Sequence, residues 1–576
     1  MHLLLAVLLA WMAQGGASLD GVVVKAGSRE PLAEAKVQLN PVRPAEDFDD
    51  TKAKSYETKT GPDGKFAIDG VAPGVYRLIA TRPNGGYIPA EYGQRNATSE
   101  GVPLTIATGQ KLSGIQLSMA SSGAITGRIY DEDGEPVARA QVSALRPVYK
   151  DGHRVLTNVQ TVETNDRGEY RLFWLAPGRY YVSAKPDIPQ LPADPRTQTG
   201  SISAVHFTSP TRFGTSEQAA GPVIHKRKLK TGQIVEETYL PVLYPGILTE
   251  QGAIAIDVGA GSLAGGVDMS ISAGLAPVRH IRGRVINPAS QSFAGTRITA
   301  VPRTQGSFIV VPGGSTDLRG EFDVSGLTAG SYWLFATRDR MLGVVPVEVG
   351  NTDLQNIAVP LAPAFNLSGR YTFDGGSRSG DQQPLWSLRL APLVRDDYSP
   401  GMPVAGPFYN PPPEDDGSFT VEGVYMGDFH VAVFGVSPDA YVKSMRMGDV
   451  DVLDKGLHLS RPPENPLNVV IGLNAGSVSG SVVNAKQDSQ PGCTVVLVPE
   501  LRNRHRRDLY KIAMTDSSGQ FRFRGITPGE YTLFAWDSVE TGAWQDPDFL
   551  GTYETQGTPV HIAGGESQSM RLVVIP

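Results

Sequence analysis

Cysteine is almost absent from this 576-residue sequence, which contains only Cys493. A disulfide framework and a cysteine-based zinc site are therefore excluded. No stretch approaches the roughly 18 apolar residues that a membrane-spanning helix needs, and the net charge of −7 offers no basic surface for nucleic acid. The nine histidines are scattered, and motifs of zinc peptidases, serine hydrolases and phosphate-binding loops are missing. We therefore expect neither a cofactor nor a metal, and no enzyme.

Glycine and proline are abundant instead, with 65 and 44 residues. Together with a hydrophobic share of 40%, they favour turn-rich globular domains over a disordered chain. Leu3 to Met12 is apolar and precedes the small residues Gly15-Gly16-Ala17. This pattern predicts a signal peptide over residues 1–17, with a buried N-terminal strand as the alternative. We expect a secreted protein, in the periplasm or at the cell surface after the signal peptide is removed.

A short pattern occurs five times along the chain. A glycine is followed by aromatic residues two and twelve positions later, and by a second glycine ten positions later. The first glycines are Gly64, Gly168, Gly320, Gly417 and Gly519, and the last aromatics are Tyr76, Tyr180, Tyr332, Phe429 and Tyr531. Alternating apolar residues after each last aromatic predict a strand with one buried face. Between the first glycine and the last aromatic of each copy, a second turn is expected at Gly70, Gly326, Gly423 and Gly525. The second copy has Trp174 at this position.

The repeat predicts both the fold and the domain boundaries. Six or seven short strands per copy, with turns roughly every 8–12 residues, indicate an all-β chain: a tandem array of about five antiparallel β-sandwich domains. The expected domains, called units one to five below, are residues 18–120, 121–275, 276–363, 364–474 and 475–576. Unit two is too long for one sandwich. Its inserted loop, about residues 187–237, contains the basic run His225-Lys226-Arg227-Lys228 and is either a surface excursion or a binding loop.

The units resemble the carboxypeptidase regulatory-like domain, a transthyretin-like sandwich close to the Cna-B-type surface modules. The resemblance rests on stretches such as Asp133-Gly134-Glu135-Pro136 and Leu175-Ala176-Pro177-Gly178 in unit two and Ile526-Thr527-Pro528-Gly529 in unit five. Arrays of this type are similar to secreted proteins of soil bacteria such as acidobacteria. The resemblance implies a carbohydrate-binding-like fold, and hence sugar binding, but no catalytic residue. We do not expect the Lys–Asn isopeptide bond of Cna-B modules, because no matching Lys, Asn and Glu set repeats here.

Aromatic residues in loops are the candidate ligand-binding residues, because flat apolar rings suit sugar faces and neighbouring acids suit hydroxyl groups. The candidates are Tyr92 in unit one, Tyr239 and Tyr244 in unit two, and Trp536, Trp544, Asp546 and Tyr553 in unit five. The alternative is that these loops fold back and cover the sandwich edges. Cys493 takes the place of a small inward-facing residue and is expected to be an inert buried thiol.

Two acidic clusters resemble a metal site and a catalytic site but are expected to form turns. Asp131-Glu132-Asp133 resembles part of a calcium loop without the later carboxylate, and Glu414-Asp415-Asp416 resembles a glycosidase pair. The sequence therefore predicts a non-enzymatic protein of several modules that displays loops for binding, with a polysaccharide or a cell-envelope component as partner. A purely structural spacer is the alternative, and a secreted hydrolase with a dispersed site is a third hypothesis.

Overall fold

The computed structural model describes residues 16–42, 54–82, 85–150, 152–186, 224–228, 232, 234–286, 293–303, 311–374, 387–392 and 416–576. Strands dominate this part of the chain, which confirms the all-β expectation. Residues 1–15 of the expected signal peptide, the acids Glu414 and Asp415, and residues 187–223 of the expected insertion lie outside the described residues.

The strands of the first two units have the following bounds. Unit one contains β1 (Ala17–Lys25), β2 (Lys36–Pro41), β3 (Tyr56–Lys59), β4 (Lys65–Val71), β5 (Gly74–Thr81), β6 (Ala90–Glu91), β7 (Leu104–Ile106) and β8 (Lys111–Met119). Unit two contains β9 (Gly123–Tyr130), β10 (Gln141–Lys150), β11 (His153–Glu163), β12 (Glu169–Leu175), β13 (Gly178–Lys185), β14 (His225–Lys228), β15 (Ile234–Tyr239), β16 (Val242–Leu243), β17 (Ile256–Val258), β18 (Leu263–Ala264) and β19 (Met269–Ser270). β20 (Leu275–Pro277) straddles the expected boundary with unit three and pairs with β15.

The remaining units follow the same order. Unit three contains β21 (Arg279–Ile286), β22 (Arg297–Pro302), β23 (Val311–Ser315), β24 (Glu321–Leu327), β25 (Gly330–Arg338), β26 (Met341–Val349), β27 (Leu354–Pro360) and β28 (Ala362–Pro363). Unit four contains β29 (Phe365–Asp374), β30 (Ser387–Pro392), β31 (Ser418–Val424), β32 (Gly427–Phe434), β33 (Tyr441–Met447), β34 (Val450–Asp451), α1 (Val452–Lys455), β35 (Leu457–Leu459) and β36 (Leu467–Gly472). Unit five contains β37 (Gly476–Val483), β38 (Thr494–Pro499), β39 (Lys511–Met514), β40 (Gln520–Ile526), β41 (Gly529–Trp536), α2 (Pro547–Gly551), β42 (Thr558–Ile562) and β43 (Ser567–Val573).

Each unit packs two sheets around its own core, and unit two has a further three-stranded sheet, β14-β15-β20. Unit one has the strand orders β4-β1-β8 and β3-β2-β5-β6, and unit five repeats them as β40-β37-β43 and β39-β38-β41-β42. Most neighbouring strands are antiparallel, as expected. One arrangement differs, because the first strand of a unit also lies parallel to a late strand, as β1 does to β8 and β37 to β43. Between them in sequence lie the strands of the second sheet and one strand of the first, such as β4, and together they supply the long crossover that a parallel pairing requires.

The last aromatic of each repeat is buried in these cores, and in four units it also makes a hydrogen bond. Tyr180 is 1% exposed, and its hydroxyl donates to the carbonyl oxygen of Ala176 at 2.7 Å. The same bond to the residue four positions earlier is made by Tyr76, Tyr332 and Tyr531. Unit four has Phe429 at this position, which is buried but has no hydroxyl. The aromatic is therefore a packing residue that also fixes the preceding turn.

A buried threonine connects two strands in four of the units. In unit two the hydroxyl of Thr164 donates to the carbonyl of Val137 at 2.6 Å and accepts from the amide of Ala140 at 2.8 Å. Threonines four positions before the first glycine of the repeat accept the corresponding amide bond in units one, three and five, namely Thr60, Thr316 and Thr515. Each hydroxyl provides a partner for backbone groups that would otherwise be buried without one.

The second turn expected in each unit is instead a β-bulge inside a strand. In β4, two residues (Asp69 and Gly70) oppose one residue of β1 between the pairs Ile68–Leu19 and Val71–Ala17. The same shift occurs in β12, β24, β31 and β40. The second bulge residue has a φ of +71° at Gly70 and +55° at Trp174. The expectation of a turn was wrong because a bulge needs the same left-handed backbone but lets the strand continue.

Candidate functional site

The two tryptophans among the sequence-predicted site residues do not present their rings to solvent. Trp536 and Trp544 are 1% and 3% exposed and belong to a second hydrophobic cluster of unit five. Trp536 stacks on Phe534 with ring centroids 5.1 Å apart and meets Tyr553 edge-on at 5.7 Å. This loop has folded back over the sheet, which leaves neither indole a face on which a sugar ring could stack.

Asp546 has a structural partner in the same loop. One of its carboxylate oxygens accepts hydrogen bonds from the backbone N–H groups of Asp548 and Phe549, at 2.9 and 3.0 Å. These bonds cap the start of α2, where the first N–H groups of a helix have no partner within the helix. The carboxylate therefore orders the loop that covers the tryptophans.

Tyr239 and Tyr244 pack, partly buried, against the core of unit two. The hydroxyl of Tyr239 lies 3.4 Å from a carboxylate oxygen of Glu132. Burial, and then the charge of Glu132, raises the pKa of Tyr239, so the hydroxyl remains a proton donor. The two tyrosines thus belong to the packing of unit two.

Tyr92 is the predicted candidate that lines a cavity. It is half-buried, packs against the core of unit one and follows β6, where the loop of unit one meets unit five. The cleft between the two units has a volume of about 750 Å³. Its polar lining comes from both ends of the chain: Glu91, Gln94, Gln116 and Ser118 of unit one and Ser489, Gln490 and Ser517 of unit five. One aromatic ring thus stands among amide, hydroxyl and carboxylate groups.

Arg95 joins the two walls of this cleft. One guanidinium nitrogen lies 2.6 Å from a carboxylate oxygen of Asp537. The other donates to the carbonyl of Pro491 and lies 3.6 Å from the sulfur of Cys493. The neighbouring Asn96 donates to the hydroxyl of Ser538 at 3.2 Å. A single loop of unit one therefore holds unit five by charge-assisted and neutral hydrogen bonds.

A network of hydrogen bonds and ion pairs within unit one supports its wall of the cleft. A carboxylate oxygen of Glu91 accepts bonds from Arg77 at 2.9 Å and from the amide of Gly101 at 3.0 Å. Arg77 also pairs with Glu100 at 3.0 Å, and the side chain of Gln94 accepts from the amide of Glu91 at 2.9 Å. This network fixes both ends of the loop that carries Tyr92 and Arg95, so the cleft is held in shape before any ligand enters.

Unit five also packs against unit two. The rings of Tyr149 and Phe549 have centroids 6.0 Å apart. Gly542 approaches the same strand so closely that a Cβ atom there would lie 3.0 Å from the carbonyl oxygen of Tyr149. The last unit therefore contacts the first two units as well as its neighbour in sequence, unit four.

Cys493 is fully buried, and burial raises the pKa of its thiol, although the nearby Arg95 acts in the opposite direction. A protonated thiol is a poor nucleophile. This environment agrees with the inert thiol expected from the sequence.

The acidic clusters are engaged in turns where the structure describes them. A carboxylate oxygen of Asp131 accepts from the amides of Asp133 and Glu135 at 3.0 and 2.9 Å. Asp416 accepts from the amide of Ser418 at 2.9 Å, and its hydrogen bonds with Ser418 lower the pKa of the carboxyl group. In the described part of the chain, no group of three His, Cys, Asp or Glu residues is arranged to hold a metal ion.

These features define a chain of tandem β-sandwich units whose ends meet. Residues 124–188 match the family model of the carboxypeptidase regulatory-like domain, which confirms the resemblance within unit two. A search of curated proteins found no match. Among the described helices, none has the length and apolar character needed to cross a membrane.

Solved structures with similarity to this chain include two pilins. The minor pilin GBS52 of Streptococcus agalactiae is 12% identical, with 44% of this chain and 95% of the pilin covered and a TM-score of 0.22. The major pilin subunit BcpA of Bacillus cereus is 12% identical, with 61% and 100% covered and a TM-score of 0.13. These scores are too low to support any inference from the pilins to this chain.

Proposed function

We propose that this chain is a non-enzymatic binding protein outside the cytoplasm and that the cleft between units one and five holds its ligand. The observation that supports this most directly is the polar cleft of about 750 Å³ beside the half-buried ring of Tyr92. A ring among amide and hydroxyl groups suits a ligand with apolar C–H faces and many hydroxyls. A polysaccharide or a glycan of the cell envelope has this chemistry.

A structural spacer without a ligand is the second candidate. It is favoured by the burial of Trp536 and Trp544, because that loop covers the sandwich rather than displaying its rings. The contacts of unit five with units one and two favour binding instead, since a simple spacer gains length from modules that touch only their sequence neighbours.

The proposal is tested by affinity electrophoresis of the full chain in gels containing soluble polysaccharides or peptidoglycan fragments. Tyr92→Ala removes the ring on which a sugar face would stack and should therefore weaken binding severalfold. Gln490→Ala changes the opposite wall without touching a core. Tyr181→Ala, another half-buried tyrosine that does not line the cleft, is the matched control.

Circular dichroism of each variant separates loss of binding from loss of folding. The proposal predicts that Tyr92→Ala and Gln490→Ala bind more weakly, while Tyr181→Ala binds like the unmodified chain. If none of the ligands retards the unmodified chain, or if the three variants behave alike, the spacer function is the better account.

A further inference from the structure

The β-bulge that recurs in all five units has an unusual composition in unit two. In the other four units the pair of bulge residues is a polar residue followed by glycine: Asp69-Gly70, Ser325-Gly326, Glu422-Gly423 and Arg524-Gly525. Unit two has Phe173-Trp174 at the same place. The sister units are internal controls, because they show that the fold itself requires neither aromatic ring.

Trp174 adopts a backbone conformation that large side chains avoid. Its φ is +55°, in the left-handed region that glycine occupies without strain and where a bulky residue is a true outlier. Strain of this kind is often found at functional sites. The strained residue is also 59% exposed, and Phe173 beside it is 41% exposed, so much of the two rings faces solvent rather than a core.

The two rings form an ordered pair. Their centroids lie 5.6 Å apart, with the planes at 68°. The amide of Phe173 donates to the side-chain oxygen of Gln160 at 2.8 Å, which ties the bulge to the neighbouring strand β11. Arg171, exposed two positions before Phe173, lies on the same face of β12, and Thr126 is its cross-strand partner. The rings are therefore bordered by groups that can bond to hydroxyls.

The corresponding bulge of unit five contacts another unit. Arg524 pairs with Asp439 of unit four at 2.6 Å, and a Cβ atom on Gly525 would lie 3.2 Å from the carbonyl oxygen of Pro438. At the bulge of unit two, the exposure of both rings shows that the described residues provide no such cover. A position that joins two modules in unit five is thus open in unit two.

We infer that Phe173 and Trp174 form a second ligand site, on which a pyranose ring of a polysaccharide stacks, with polar groups around it. Two aromatic side chains bury about 150–250 Å² each, far less than the roughly 800 Å² per partner of a stable protein interface. The pair matches the face of a sugar better than the surface of a second copy of this chain. The site lies in unit two, apart from the residues of the cleft, and it deepens the proposed function by naming a second contact for the same class of ligand.

The test uses the full chain with Trp174→Gly and Phe173→Ser, which restore residue types found in the sister units and should therefore fold. Leu501→Ala, which removes an apolar side chain that is 77% exposed in unit five, is the matched control. Affinity gels with hydroxyethylcellulose, xylan and pullulan measure binding. Tryptophan fluorescence reports contact with Trp174, and light scattering after size exclusion reports self-association.

The inference predicts at least a fivefold loss of affinity in both bulge variants and an unchanged affinity in Leu501→Ala. It also predicts a ligand-induced change in tryptophan fluorescence that Trp174→Gly abolishes. Unchanged binding in both bulge variants, together with a loss in Tyr92→Ala, would overturn this inference and leave the cleft proposal standing. Failure of the unmodified chain to bind any polysaccharide would overturn both. A dimer that Trp174→Gly converts to a monomer would assign the pair to an interface between copies and would also overturn the inference.

Discussion

Arg95→Ala should release unit one from unit five. The side chains of Arg95 and Asp537 are 30% and 41% exposed, so their ion pair contributes only about 0.2–1 kcal/mol. The bond from the charged guanidinium to the carbonyl of Pro491 adds roughly 1.5–3 kcal/mol. Taking about 2 kcal/mol as the loss, the ratio of closed to open chains should fall roughly 30-fold.

Cys493, the only cysteine of the chain, belongs to the core of unit five, but its sulfur lies 3.6 Å from Arg95 of unit one. Separation of the two units should therefore uncover this side of the thiol. The rate of reaction with a disulfide reagent should rise with the open population, by up to the same factor. The assay is run near pH 9.5, above the pKa of about 8.5 of a free thiol. The removal of Arg95 disfavours the thiolate and by itself would slow the reaction, so a faster rate reports separation of the units and not a change in the pKa of the thiol.

Arg284→Ala is the matched control, since Arg284 pairs with Glu321 inside unit three at 2.9 Å. Its thiol should react at the rate of the unmodified chain. Equal rates for Arg95→Ala and Arg284→Ala, with full reaction of both in denaturant, would refute the view that Arg95 holds the two units together.

Substitutions at three further positions test the units themselves. Thr164→Val leaves the buried amide of Ala140 and the partly buried carbonyl of Val137 without their side-chain partner and should destabilise unit two by about 1–3 kcal/mol. Thr164→Ser keeps the hydroxyl and should destabilise it less, and hydrogen exchange of unit-two amides distinguishes the two variants. Tyr180→Phe removes one hydrogen bond and should cost about 0.5–1.5 kcal/mol, against about 3–5 kcal/mol for Tyr180→Ala, as read from urea unfolding. Hydrogen bonds from Asn165 and then Arg128 lower the pKa of Glu169 from its ordinary 4.5. The contribution of this carboxylate to the stability of unit two is therefore fully present above pH 4.5 and is lost as the pH falls through the lowered pKa. Glu169→Gln should weaken the acid sensitivity of unit two, and an unchanged acid profile would contradict this assignment.

The fold was accessible from the sequence because its determinants are local. The spacing of glycines such as Gly168 and aromatics such as Tyr180 marks turns and buried strand faces within about a dozen residues, and it recovered five cores. The role of Thr164 was missed although a threonine precedes the first glycine by four positions in four units. Its partners, Val137 and Ala140, lie more than twenty residues away, so the pattern alone does not show what the hydroxyl does.

The candidate site was only partly accessible. Tyr92 was found because an aromatic residue in a polar loop stands out, but its cleft depends on Arg95 meeting Asp537 of the last unit, and no local pattern encodes such a distant contact. Trp536 was misleading, because a loop of the same composition can either display an aromatic ring to a ligand or fold over it. Burial distinguishes the two, and it is a property of the folded unit.

Closure of the chain, with the first unit held against the last, is most directly tested by cross-linking across the cleft. Asn96→Cys and Ser538→Cys, combined with Cys493→Ala, place thiols at side chains whose polar atoms lie 3.2 Å apart. A short thiol cross-linker should join the two positions within a single chain, as peptide mass spectrometry would show. Modification of both cysteines without such a link, or links only between different chains, would contradict the closed arrangement and the cleft that depends on it.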